Sequence, residues 1–148
     1  MSSEAVSQLS QSQPRRPGRS VLAIVVAIIG GIVVTLITDE IFHLVHVFPA
    51  WGASMVGYDG ALALATTYRT VYGVLGSYVA ASLAPRRPMW HAMMLGILGL
   101  VVSILGAVAT WNGGPAFGPH WYPVVLVVLA IPTAWLGGKL RLMQPSTR

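Results

Sequence analysis

The sequence predicts an all-α fold: a bundle of four transmembrane helices with both termini in the cytoplasm and short connecting loops. Three observations carry the prediction. Hydrophobic residues make up 55% of the chain and charged residues only 9%, against roughly 25% charged in a soluble domain. The apolar residues gather into four long runs, and eight of the nine Lys and Arg residues fall on one side of those runs. A mean hydropathy of +0.70 points the same way. A chain of 148 residues built around such a bundle makes one domain and leaves little for anything outside the membrane.

The stretch 1–19 is rich in Ser and Gln and ends in Pro14-Arg15-Arg16-Pro17-Gly18-Arg19. It cannot bury a core and is expected to be a disordered cytoplasmic tail. The first span, 21–47, is apolar from Val21 to Ile37 apart from Gly30, Gly31 and Thr35, which is about the 18 residues a membrane helix needs. Its helix is expected to continue through Asp39, His43 and His46 as far as Pro49. The second span, 60–84, is the weakest by hydropathy, being interrupted by Thr66, Thr67, Arg69 and Thr70. The third covers 89–111 and the fourth 121–142, the latter with Pro132 as an expected kink. Residues 143–148 form a second cytoplasmic tail. The short connection at Arg86 and Arg87 makes the second and third spans antiparallel neighbours.

Basic residues test this division, because they were not used to draw it. Arg15, Arg16 and Arg19 precede the first span, Arg86 and Arg87 separate the second from the third, and Lys139, Arg141 and Arg148 end the chain. The loops at 47–60 and 112–120 contain none. By the positive-inside rule both termini are cytoplasmic. Trp51, Trp111 and Trp121 fall at the outer boundary, and Trp90 and Trp135 toward the inner one, where amphipathic rings anchor. The first span is longer than a signal-peptide core and lacks a small-residue cleavage site after it, so it is read as retained. The whole pattern describes a multi-pass protein of a bacterial-type plasma membrane.

The basic clusters sit beside apolar segments rather than along a polar face, so the charge of +5 and pI near 10.3 imply orientation in a membrane and not nucleic-acid binding. Absence of cysteine excludes disulfides, thiolate metal sites and cysteine nucleophiles. Small residues line up at helical spacing on the third span, at Ala92, Gly96, Gly99, Ser103, Gly106 and Thr110. Gly73, Gly76, Ser77 and Ala80 do so on the second, and Ala130, Ala134, Gly137 and Gly138 on the fourth. Such faces pack helices, within one bundle or between copies in a homo-oligomer or with a membrane partner.

One basic residue, Arg69, breaks the pattern by lying inside a span. On the first span Ala27, Gly31, Thr35, Asp39 and His43 recur every four residues on one face. Counted from the cytoplasmic ends, Asp39 lies about 28 Å up and Arg69 about 24 Å up, a difference that a snorkelling Arg closes. An unpaired Arg in a bilayer costs roughly 2.5 to 3.5 kcal/mol or more, so a counter-charge is expected. Asp39 is the first candidate and Glu40 the second, with Glu40 also three residues from His43 and able to bond to it. Asp39, Glu40, His43 and Arg69 thus form the candidate cluster, read either as an ion or proton site or as a structural ion pair. The hydroxyls of Thr66, Thr67, Tyr68, Thr70 and Tyr72 surround the same helix.

A third reading is a mononuclear metal site on Asp39, His43 and His46, with His120 or Asp59 completing it from the loops. A di-iron centre built on Glu40-x-x-His43 fails, because the chain has only four acidic residues, Glu4, Asp39, Glu40 and Asp59. No cofactor is called for by any other motif. His91 lies at the opposite end beside Trp90. There is no nucleophile elbow, phosphate loop or metalloprotease helix, so an enzyme ranks below a transport-related protein and below a non-catalytic membrane partner or assembly subunit.

Overall fold

The computed structural model describes residues 17–84 and 87–144. The expected tails therefore lie outside the described residues, except where the first helix begins at Pro17 and the last ends at Met143. Among the described residues four long helices make up the fold: α1 (Pro17–Leu44), α2 (Asp59–Leu83), α3 (Pro88–Thr110) and α4 (Trp121–Met143). One 3-10 turn, Pro115–Phe117, sits in the loop between α3 and α4.

The register of the close contacts fixes the topology. Asp39 meets Tyr68 and Arg69, while Thr38 meets Tyr72, so α1 and α2 run in opposite directions. Gly138 lies on Met89 and Ala92, and Gly96 on Ala134, so α3 and α4 are antiparallel too. Gly73 faces Thr133 and Gly137 faces Ser77, which makes α2 and α4 parallel. The result is an up-down-up-down bundle.

α1 ends five residues short of Pro49, and its ending corrects the expectation that His46 continues the helix. His46 takes a left-handed backbone, φ 59°. Its N–H donates to the carbonyl of His43 (3.2 Å) and that of Val47 to the carbonyl of Phe42 (2.9 Å). These two bonds form a Schellman motif with His46 in the position that usually holds glycine. Leaving the helix here lets the chain double back and bury Phe48 against Phe42, Ala65 and Tyr68. Burial of an aromatic ring outweighs the left-handed cost of about 1 to 2 kcal/mol.

α2 packs against all three other helices, and α1 packs mainly against α2. This central position explains the composition of α2. Three helices, over Ile24–Leu44, Pro88–Thr110 and Trp121–Met143, are long and apolar enough to cross a membrane, and α2 is not. A helix packed against three others needs fewer lipid-facing groups, so the half-buried Thr66, Arg69 and Thr70 lower its hydropathy without facing outward, while the exposed Thr67 bonds its hydroxyl to the carbonyl of Ala63. The three apolar helices mark the chain as a membrane protein. Its large exposed aliphatic side chains agree with that, since α1 alone exposes Ile29, Ile32, Leu36 and Ile37 on its outside.

Small residues bring α2, α3 and α4 together at one end of the bundle, where Ala80, Ala81, Ala92 and Ala134 are almost fully buried. A Cβ on Gly137 would run into the carbonyl oxygen of Val74 and come within 2.7 Å of the Ser77 Cβ. A Cβ on Gly96 would overlap that of Ala134. The stripe on α3 is only half used, because Gly99 and Gly106 would meet nothing within 4 Å, nor would Gly30 and Gly31 on α1. α4 continues through Pro132 as one helix.

Candidate functional site

Asp39 is buried on α1 and holds two partners from adjacent positions of α2. Tyr68 donates its hydroxyl to one carboxylate oxygen, in a short contact, and Arg69 donates from Nη2 to the other at 2.6 Å. Neighbouring residues on a helix point about 100° apart, so both reach one carboxylate only because it lies in the seam between the helices. The guanidinium carbon also lies 5.9 Å from the centre of the Tyr68 ring and 6.0 Å from that of Tyr122 on α4, within cation–π range. Arg69 therefore joins three helices.

One turn further into the bundle a second polar contact repeats the seam. Thr38 gives its hydroxyl proton to the carbonyl of Val34 (2.8 Å), so Tyr72 is the donor in the 2.9 Å contact between their hydroxyls. Thr66, Thr67 and Thr70 donate to carbonyls of their own helix four residues back, at 2.7 to 2.9 Å. Of the hydroxyls around Arg69, those of Tyr68 and Tyr72 are the ones that cross to α1.

Glu40 and His43 sit on the loop side of this seam and belong to a different arrangement, organised by Trp51. Glu40 accepts from the Trp51 indole N–H at 3.2 Å. His43 stacks on the same indole with ring centres 3.9 Å apart and contacts Phe48 edge-on. Its Nδ1 lies 2.6 Å from the carbonyl of Pro49 and must be the donor, since a carbonyl only accepts. The expected Glu40 to His43 bond is thus replaced by bonds from each to the loop.

His46 lies on the exposed turn and leaves the face of Asp39 and His43. Among the described residues no three His, Asp or Glu side chains are grouped to hold a metal ion. Asp59 accepts from the Trp121 indole at 2.8 Å. His120 stacks on Trp111 with its Nε2 at 2.8 Å from that residue's carbonyl. His91, at the other end, is buried with Nδ1 3.2 Å from the carbonyl of Arg87. At this end of the bundle Glu40, His43, Asp59 and His120 are engaged with tryptophans and carbonyls rather than with one another.

Asp39 and Arg69 line a cavity of about 470 Å³ that all four helices contribute to. α1 supplies Ala27, Gly31 and Thr35, and α2 supplies Tyr72, Gly73 and Gly76. Leu95 and Gly96 of α3 and Ala130 and Thr133 of α4 close the far wall. A second cavity of about 240 Å³ begins on the other side of Arg69 and reaches Ser103 and Leu126. Arg69 and Thr35 border both. Sequence reasoning brought Asp39 to Arg69 but missed Tyr122, which stands in the first turn of α4 within reach of the guanidinium. No family model, curated protein or solved structure matches this chain, so a functional reading rests on this geometry.

Proposed function

We propose that the chain is a four-pass protein of a plasma membrane, with both termini cytoplasmic, in which the Asp39 and Arg69 pair forms the outer wall of a binding cavity used in transport or ion coupling. The observation that carries this reading is the cavity itself. A pair that served only to hold helices would be expected in a closed contact, whereas this one borders open space of about 470 Å³, within the range of small-molecule sites. Four passes are supported by α2 being fully paired with spanning helices and offering lipid one strip, Leu64, Val71, Leu75, Val79 and Leu83. Thr67 lies on that strip with its hydroxyl bonded back to Ala63. The orientation is supported by the basic residues.

The full chain in liposomes loaded with a pH-sensitive dye tests the coupling. A proton flux driven by an imposed gradient, lost in Asp39→Asn while the variant elutes as a folded protein, is the expected result. No flux in the wild-type protein refutes proton coupling.

A second reading, a non-catalytic partner or assembly subunit, is favoured by one feature: both oxygens of Asp39 are already bonded to α2. On that reading Asp39→Asn disassembles the bundle, and the exchange of Asp39→Arg with Arg69→Asp restores it.

A further inference from the structure

The larger cavity is a groove open on one side. Its rim on α1 is formed by Ile32 and Leu36, which are 54% and 59% exposed, and α1 makes only slight contact with α3. In a membrane protein that opening faces the acyl chains of the bilayer. The floor along Ala27, Gly31 and Gly76 is apolar and low, and from Ala27 to Asp39 the groove follows α1 for about 18 Å.

Its polar end has a defined hydrogen-bonding demand. Both Asp39 oxygens already accept, from Tyr68 and from Arg69, which leaves about half of the carboxylate's lone pairs for a further donor. Arg69 has five N–H donors. One bonds Asp39, and the Arg69 side chain, 33% exposed on the cavity wall, keeps others free to donate. The larger unmet demand at this end is for acceptors. Charge narrows it further. The pair is neutral as a unit, and an added anion would leave a net charge in a low-dielectric seam, which is costly. An uncharged acceptor carries no such cost.

We propose that this groove binds an uncharged amphipathic molecule drawn from the bilayer, with a carbonyl-type acceptor head beside Arg69 and Thr35 and a single apolar chain along α1. The inference rests on the reading of the groove as a binding site and names the class of its ligand.

The test uses the full chain in lipid nanodiscs and the methyl ester of palmitic acid carrying a photoreactive diazirine on its chain. Labelling is expected in peptides spanning 27–39 and 69–77. An excess of methyl palmitate should reduce it by about tenfold, and hexadecane should leave it unchanged. Gly31→Leu fills the groove and should remove the competed labelling, and its Cβ meets nothing within 4 Å, so the helix accommodates it. If Gly31→Leu misfolds, Thr35→Leu obstructs the same groove one turn nearer Arg69 and carries the same expectation. Equal competition by hexadecane overturns the role of the head. Stronger competition by palmitate overturns the preference for an uncharged one. Labelling unaffected by a folded groove-filling variant overturns the location. Absence of flux with competed labelling intact removes the transport reading alone, and Asp39-dependent flux without competed labelling removes this inference alone.

Discussion

Asp39 and Arg69, thirty residues apart in the chain, meet at 2.6 Å in the seam between α1 and α2. The carboxylate is buried while the Arg side chain keeps 33% of its exposure, so the pair is a half-desolvated one. Losing either partner leaves the other without its counter-charge, and that loss is larger than the net worth of the pair.

Asp39→Leu is therefore expected to destabilise the bundle by about 2 to 4 kcal/mol, a little below the range for fully buried pairs because Arg69 is partly exposed. The double variant Asp39→Leu with Arg69→Leu should recover most of that loss. Denaturant titration in detergent micelles, followed by helical circular dichroism, measures both. A double variant as unstable as the single one would show that the pair does more than neutralise itself.

Replacing Gly137 by Ala places a Cβ against the backbone of Val74 and Tyr78 on α2, neither of which can give way cheaply. The expected cost is about 1 to 3 kcal/mol, the usual range for overpacking. Gly30→Ala has open space and should be neutral or stabilising by up to about 1 kcal/mol through helix propensity. Thermal unfolding of the two variants side by side distinguishes a packed glycine from an unpacked one.

His46→Gly should stabilise the protein by about 1 kcal/mol, because glycine adopts the left-handed backbone of the Schellman turn without a Cβ penalty. A drop in stability in the same unfolding assay would mean that the imidazole makes a contact worth more than the strain it brings.

The absence of cysteine in the chain makes topology directly readable. With α2 as a span, Ser54→Cys and Asn112→Cys are both expected to react with a membrane-impermeant maleimide from outside intact cells. Gln144→Cys should react only after permeabilisation. If α2 does not cross, α3 carries the chain inward, and Asn112→Cys and Gln144→Cys exchange their behaviour.

Three helices were legible because apolar runs longer than a bilayer is thick have few alternatives, and each of the four long helices lies within a few residues of the stretch expected to be helical. The pairing of Asp39 with Arg69 was legible for a related reason. Both charges lie at similar distances along helices that face each other, and a charge in a poorly hydrated seam must find a partner. What was not legible is how neighbours of that pair divide their bonds. Glu40 is next to Asp39 in the chain and His43 one turn on, yet a loop residue, Trp51, takes both. Helical spacing places side chains on faces but does not say where a loop will return.

The sequence alone determined that this is an all-helical chain with segments suited to a membrane, and it singled out one Arg whose charge demanded an answer. Composition and period suffice for that, since they act along a single helix. Only the tertiary structure decided that α1 stops at Leu44 so that Phe48 can be buried, that α2 is polar because it is central, and that Tyr68 and Tyr122 complete the surroundings of Arg69. It alone placed a groove beside the ion pair. These outcomes depend on how helices far apart in the chain share space, which a pattern along one helix does not contain.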